Sequence, residues 1–200
     1  MVRGVCVSVP LFALLSMAAA APTTRPATGP ASAPAMQAAT APADWPTWVI
    51  DLPDKKVSVT VSYPPGWKNT RDAGGKPLLT PPGAEAAVDQ PHWTFDVKTD
   101  PQKRTPAQLQ EQYVKALEAT GRKVLAAGSL DLPNGRNAAA ITSSLAANGQ
   151  TLTVRNTLIP LGDGRLIITT ESAGEASWKE VADKFAKVTG SMQVTILPVP

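Results

Sequence analysis

The amino-acid sequence predicts a single domain of the α+β class, in which helices pack on an antiparallel β-sheet. Apolar and polar residues alternate in two early segments, as they do in strands that bury one face. Asn-Gly and Asp-Gly dipeptides separate the later apolar segments, which is typical of hairpin turns. Two further segments have helical periodicity and well-marked ends.

The first 43 residues are predicted to lie outside this domain. Residues 1–20 carry one basic residue and an apolar run, and Ala18 and Ala20 suit a cleavage site, so they are interpreted as a secretory signal peptide. An uncleaved anchor is the alternative, but a proline and several alanines make the run short for a bilayer. Residues 21–43 are almost wholly Ala, Pro, Thr, Ser and Gly and are expected to form a disordered stalk. The domain is expected to span residues 44–200.

Cysteine content and charge exclude several classes of function. Cys6 is the only cysteine and lies in the segment expected to be removed, so the exported protein would have neither a disulfide nor a thiolate nucleophile. The chain has a net charge of +3. Arg3 and Arg25 precede the domain while every acidic residue lies within it, so the domain itself is close to neutral. No basic stripe is visible, and we expect no nucleic-acid partner.

Two strands are predicted in the first half of the domain. Residues 57–63 alternate with a period of two, and a Pro-Pro-Gly run ends them because proline cannot donate to a ladder. Residues 90–98 repeat the pattern, and the Gly/Pro-rich loop between the two strands leaves room for a short strand at 78–80. The apolar faces of the two longer strands consist of Val57, Val59, Val61 and Tyr63 and of Trp93, Phe95 and Val97.

Helix starts are marked at two places. Thr105 can cap a helix, Pro106 suits its first position, and Gln108 completes a capping box. The second helix is predicted to begin with another capping box at 177–180 and to end at Gly190. Each segment has an apolar stripe that can pack on a sheet.

Between the helices the sequence predicts an antiparallel meander. Three Asn-Gly or Asp-Gly dipeptides fall within about thirty residues and favour tight hairpins. A last short strand is predicted after the second helix. The predicted segments are 123–132, 136–146, 151–161 and 165–170 for the meander and 191–197 for the last strand.

Four segments together resemble the PsbP-like family, whose namesake is an extrinsic subunit of photosystem II. They lie in the family's order over residues 57–194 and include a strand–Pro–Trp element and a closing helix with Trp, Phe and Ser. The segments are VSYPPGW, TPAQLQEQYVKAL, ANGQTLTVRNTLIPLGDGRLIITTES and SWKEVADKFAKVTGSMQV.

This resemblance implies an α/β/α sandwich around an antiparallel sheet. Members of the family look like non-enzymatic modules that dock on other macromolecules, and the bacterial secreted branch is the closer analogy for this chain. None of the matching segments is a catalytic motif, so the resemblance bears on fold more than on function.

Residues that could support catalysis or bind a metal are scarce. His92 is the only histidine, and no G-x-S-x-G motif is present to position a serine nucleophile. His92 and Asp96 share a strand face with Asp100 nearby, but two ligands on one face do not hold a metal. Residues 162–164 are interpreted as a hairpin turn rather than a phosphate loop. We therefore expect no catalytic residue, no metal and no cofactor.

A polar surface is the candidate docking site. The strand faces opposite the apolar ones are rich in Ser and Thr, whereas a sheet covered tightly on both sides should not be so polar on one. The alternative is that a helix or loop covers them and that the threonines serve only strand propensity. The residues concerned are Ser58, Thr60 and Ser62, then Thr94, Asp96 and Lys98, and finally Thr151, Thr153, Arg155 and Thr157.

Trp45 and Trp48 lie where the stalk meets the domain. They either anchor this junction to the domain surface or take part in docking, since tryptophan often anchors interfaces.

The sequence as a whole favours a secreted or periplasmic, non-catalytic module that docks on a cell-envelope protein. It is expected to be a monomer with no membrane insertion after signal cleavage. The alternative is a carrier with an apolar pocket for a small molecule or lipid beneath Trp93 and Trp178. A hydrolase is a third possibility and would need an acid or base with a perturbed pKa in a cleft near His92.

Overall fold

The computed structural model describes residues 36–84, 90–147 and 149–198. These contain eleven strands, two α-helices and one short 3₁₀ turn. No helix in these ranges is both long and apolar enough to cross a bilayer. The strands are β1 (Met36–Gln37), β2 (Thr47–Leu52), β3 (Val57–Ser62), β4 (Lys68–Arg71), β5 (Pro77–Thr80), β6 (His92–Thr99), β7 (Lys123–Asp131), β8 (Asn137–Ala147), β9 (Gln150–Pro160), β10 (Arg165–Gly174) and β11 (Gln193–Ile196), and the helices are α1 (Pro106–Ala119), α2 (Glu175–Gly190) and the 3₁₀ turn Pro53–Lys55.

The strands form two sheets. Eight of them make a large sheet in the order β1-β7-β8-β9-β10-β6-β5-β4, and three make a small sheet in the order β11-β3-β2. The β1–β7 pair is parallel, and all other pairs are antiparallel. The predicted α+β class and the antiparallel meander β7-β8-β9-β10 are therefore confirmed.

Both faces of the large sheet are covered. Helix α1 packs on β7, β8 and β9 through an apolar cluster that includes Leu109, Leu117 and Leu158. Helix α2 packs on β9 and β10 from the other side, and there the main core contains Trp93 and Phe185. The inward side chains of the small sheet complete that main core. The α/β/α arrangement that the family resemblance implied is thus present, with a small second sheet added to it.

Two predicted element boundaries agree with the structure only in part. At α1 the amide of Gln108 donates to Thr105 Oγ1 (3.4 Å) and the amide of Thr105 donates to Gln108 Oε1 (3.0 Å), so this capping box is confirmed. The second capping box is wrong. Helix α2 begins directly after β10 with Gly174 as its N-cap and no side-chain cap, and Ser177 Oγ instead donates to Gly174 O.

Strands β2 and β4 are absent from the sequence prediction. Strand β2 carries Trp48, Ile50 and Leu52 on one face, but the apolar Val49 on the other face breaks the alternation. Strand β4 reads Lys-Asn-Thr-Arg and all four residues are exposed, so it has no apolar periodicity to detect. It lies at the edge of the large sheet, where pairing on one side suffices without burial.

The described fold includes residues before position 44, where the sequence places the start of the domain. Met36 and Gln37 pair in parallel with Leu130 and Asp131, and the amide of Ala38 donates to Asp131 O (3.0 Å). The last eight residues of the expected stalk, 36–43, therefore belong to the described fold. The rest of the stalk and the signal peptide at 1–20 lie outside the described residues.

We expect Gly190→Ala to displace this first segment. A Cβ atom at Gly190 would lie 2.2 Å from Ala39 O and 3.2 Å from Ala38 Cβ, and backbone must move to relieve the first contact. Overpacking of this kind costs about 1–3 kcal/mol. Hydrogen exchange should show lost protection at the Ala38 amide. Gly128→Ala is the control, because nothing lies within 4 Å of its added Cβ. Unchanged protection of Ala38 in Gly190→Ala would contradict the packing described.

Candidate functional site

The small sheet has one face that is open to solvent. In β3 the valines are fully buried, whereas the intervening Ser58, Thr60 and Ser62 are partly exposed. Residues directly opposite one another in a ladder share a face, which places Val49 and Gln193 beside Thr60. The side chain of Val49 is 59% exposed. We call this surface the open face, and it consists of Thr47, Val49, Asp51, Ser58, Thr60, Ser62, Gln193 and Thr195.

Hydrogen bonds hold the open face in place. Ser58 Oγ donates to Asp51 Oδ1 (2.6 Å), which ties β3 to β2. The Ser62 amide donates to Ser191 Oγ (2.8 Å), which ties β3 to the end of α2. The open face is therefore rich in hydroxyl groups, and at Ser58, Thr60 and Ser62 the structure has the exposed alternative and not the covered one.

The prediction of an open face is wrong for most of β9. Thr153 and Thr157 are buried, and the Arg155 side chain lies beneath α2, where Arg155 Nη2 donates to Ala182 O (3.0 Å). Thr151 is exposed at the start of the strand. Arg155 lies opposite Glu171 in the ladder, and Glu171 lies opposite Trp93. Thr153 and Thr157 are two residues from Arg155 in β9 and point the same way. They therefore lie on the face of the large sheet that carries the aromatic residues of β6.

Thr94, Asp96 and Lys98 lie on the opposite face of the large sheet, the one that α1 also covers. Asp96 is in register with Ile168 of the α1 cluster, and all three residues are partly exposed. Asp96 accepts from Lys98 Nζ at 2.7 Å and faces Lys76 Nζ at 3.4 Å. Burial alone would raise the pKa of Asp96, but these two lysines outweigh it and lower the pKa. The residues predicted for docking thus occupy two faces and do not form one surface.

The two tryptophans at the start of the domain both pack against the main core. Trp48 lies opposite Val61 and points inward from β2, and both tryptophans are partly buried. Their placement corresponds to the anchoring alternative.

A buried polar network lies between the large sheet and α2. Glu171 is fully buried, and its Oε1 accepts from Thr189 Oγ1 (2.6 Å) while its Oε2 accepts from Arg155 Nε (2.5 Å). Trp93 Nε1 in turn donates to Thr189 Oγ1 (3.0 Å). The Arg155 guanidinium lies 5.6 Å from the centroid of the Trp178 ring, within range of a cation–π contact. We call these residues the Glu171 network.

Burial raises the pKa of Glu171, and Arg155 and Thr189 offset part of that increase. The network joins β9 and β10 to α2, and aromatic rings close it from solvent on the core side. A perturbed carboxyl in an open cleft would suggest chemistry. Glu171 is instead fully buried, and its hydrogen bonds connect β10 to β9 and to α2.

The Glu171 network was not predicted, although the spacing of Arg155 and Glu171 about the β9–β10 turn indicates their pairing. The β9–β10 turn is centred on Asp163, so counting eight residues outward in each direction pairs Arg155 with Glu171. Opposite charges at facing inward positions indicate a buried ion pair.

Among the described residues, no serine and no carboxylate forms a hydrogen bond with the His92 ring. Its Nδ1 lies 2.9 Å from Gln90 O, and burial lowers its pKa, which a backbone contact and the charge of Asp72 oppose. Ser172 lies opposite in register, but Asp72 Oδ1 accepts from the amides of Gly74 and Lys76 in its own turn. Among the described residues, no three His, Cys, Asp or Glu side chains lie together as metal ligands.

The carrier alternative required an apolar pocket beneath Trp93 and Trp178, but aromatic side chains fill this space. The Trp93 and Phe95 rings lie 5.6 Å apart, and Phe185 contacts both Trp178 (6.2 Å) and Trp67 (5.5 Å). Phe185 and Trp93 are fully buried. The structure therefore gives the carrier hypothesis no support at the position predicted for its pocket.

Two solved structures show which class of fold this is. No protein-family model and no curated protein sequence matches the chain. The cyanobacterial PsbP protein CyanoP of Synechocystis sp. PCC 6803 is similar over 74% of this chain and 92% of its own, with a TM-score of 0.50 and 14% identity. LpqN of Mycobacterium tuberculosis, described as involved in cell envelope biogenesis, is similar over 76% and 92%, with a TM-score of 0.57 and 13% identity.

At these identities the likeness concerns the fold alone. The chain has the PsbP-like fold, and the resemblance that the four sequence segments indicated is confirmed at that level.

Proposed function

We propose that the chain is an extracytoplasmic, non-catalytic module that binds a protein partner at the cell envelope through the open face. The observation that carries this proposal is the exposure of that face, which presents hydroxyl groups around an apolar residue, Val49, that is more than half exposed. The predicted signal peptide supports export. The fold is also shared with a protein involved in envelope biogenesis, which supports the same compartment.

The shape of the open face favours a protein ligand over a small molecule. It is one face of a three-stranded sheet, whereas small-molecule sites are concave. Strand β2 is the last strand of the small sheet, so its outer edge offers backbone groups to an added strand. The near-neutral charge of the domain gives no reason for nucleic acid to bind.

A photo-cross-linking amino acid at position 49 tests the proposal. In cells that express the chain, we expect position 49 to give one defined protein adduct, because a docked partner would cover Val49. The matched control is position 125, since Leu125 is also an exposed apolar strand residue (49%) but belongs to the large sheet. Thr60→Arg should remove the adduct at 49 without changing the thermal unfolding midpoint. The same pattern of adducts at 49 and 125, or no adduct at either, would refute the proposal.

A further inference from the structure

A cleft of about 300 Å³ lies at one end of the large sheet. Three separate segments form it: the loop between β6 and α1 with the first residue of α1, the residues at the start of β8, and the β9–β10 turn. Of the residues weighed in the sequence analysis, Asp100 and the hairpin turn at 162–164 contribute to it, and the candidate docking residues do not. The charged residues that line the cleft are Asp100, Lys103, Arg104, Arg136 and Arg165.

The carboxylate in the cleft is already satisfied. The Asp100 side chain is 3% exposed and lies 2.7 Å from Arg104 Nη2. It also accepts from the amide and the Nε of Arg104, each at 2.8 Å. Because the lone pairs of Asp100 are directed at Arg104, this carboxylate holds one wall of the cleft and does not neutralise the other cations.

Arg165 is held on another wall. Its Nη1 donates to Lys55 O and Lys56 O, each at 2.7 Å, and its guanidinium also pairs with Asp163. Contacts within the protein thus already position Arg104 and Arg165 in the cleft, without a bound ligand.

The remaining two cations have no anionic partner. Neither Lys103 nor Arg136 has a carboxylate within 4 Å among the described residues, since the ion pairs of that part of the chain involve other side chains. The Lys103 chain lies along Gly164, with its Cε 3.8 Å from where a Cβ on Gly164 would stand. The cleft therefore carries uncompensated positive charge in a partly enclosed space.

We propose that this cleft binds a phosphate ester. A phosphate group can carry two negative charges and three acceptor oxygens, which matches two free cations, whereas a carboxylate would neutralise only one. Guanidinium groups also bind phosphate oxygens in pairs with a geometry that lysine alone does not provide. The volume is at the lower limit of ligand sites and suits a head group, not an acyl chain. This site is separate from the open face, so it does not depend on the proposed function.

The test measures binding to the protein as purified from expressing cells, at low ionic strength. NMR titration with inorganic phosphate and with glycerol 3-phosphate should shift the amides of Lys103 and Gly164. Acetate at equal concentration should bind at least about tenfold more weakly, since it has one charge. Vesicles of phosphatidylcholine with and without phosphatidic acid then distinguish a lipid head group from a soluble ester. Binding to either source supports the proposal.

Variants place the binding in the cleft. Lys103→Gln and Arg136→Gln should each weaken phosphate binding about tenfold or more, because each removes a charged donor. Among the described residues neither side chain forms an ion pair, so we expect both variants to fold as wild type does. Lys184→Gln on the exposed side of α2 is the control of equal charge change. Equal affinity in all three variants, or acetate binding as tight as phosphate, would overturn the proposal.

Discussion

Replacing Arg155 with methionine should destabilise the folded protein by about 3–5 kcal/mol, the cost of breaking a buried ion pair by removing one partner. Glu171 is fully buried, and the Thr189 hydroxyl would be its one remaining hydrogen-bond donor in the Glu171 network. Methionine fills much of the volume of the arginine stem. The loss of stability therefore reports the missing charge more than missing packing. Urea unfolding of wild type and variant gives the difference in the free energy of unfolding.

A double-mutant cycle separates the ion pair from the individual side chains. Arg155→Met combined with Glu171→Leu should recover most of the stability, because an apolar pair of similar volume needs no desolvated charge. Arg71→Met is the control, since Arg71 is exposed and should change stability by less than about 0.5 kcal/mol. A cost below about 1 kcal/mol for Arg155→Met would mean that Glu171 does not depend on its partner.

The pH dependence of Arg155→Met has a definite sign. Folding raises the pKa of Glu171, and loss of the arginine removes one of the interactions that oppose this. A carboxyl whose pKa is raised by folding is most favourable to stability in acid, and this contribution is lost as the pH rises through the folded pKa. The difference in stability between variant and wild type should therefore widen as the pH rises above the ordinary value of 4.5.

The elements that the sequence predicts correctly are those with local signals. The start of α1 is encoded in four consecutive residues, and the meander is encoded by dipeptides that suit only tight turns. Alternation within β3 identified its buried valines and the Ser/Thr side opposite them. Each of these patterns lies within a few residues, so no knowledge of the register between strands is needed.

The features that the sequence did not predict depend on relations between segments. Alternation along β9 shows which of its residues share a face of the sheet. It does not show whether that face packs against Trp93 or against α1, because this depends on the register of β9 with β10 and of β10 with β6. That is why Thr153 and Thr157 were expected on an open surface and are buried instead. The cleft is a stronger example, since Arg104, Arg136 and Arg165 come from three segments with no common pattern.

Asp100→Asn is expected to destabilise the protein by about 2–3 kcal/mol. The asparagine can still accept one hydrogen bond from Arg104, but the charge-assisted bonds to the guanidinium are lost inside a nearly buried site. The residues that precede α1 would then lose their support, and hydrogen exchange should show it at the Arg104 amide. Asp54→Asn, in the exposed 3₁₀ turn, is the control. An unchanged Arg104 amide would contradict this role for Asp100.

The pH dependence of stability distinguishes the loss in Asp100→Asn from the loss in Arg155→Met. Burial alone would raise the pKa of Asp100, but the hydrogen bonds and charge of Arg104 outweigh it and lower the pKa. A carboxyl whose pKa is lowered by folding contributes its full stability above the ordinary value of 3.8 and loses it as the pH falls through the folded pKa. The stability difference between wild type and Asp100→Asn should therefore be constant at neutral pH and close below 3.8, whereas the Arg155→Met difference changes above 4.5. The free energies of unfolding of wild type and both variants should be measured from pH 2 to pH 8. The two differences from wild type should change in separate pH ranges. A change in the same pH range would mean that the two carboxyls are not independent.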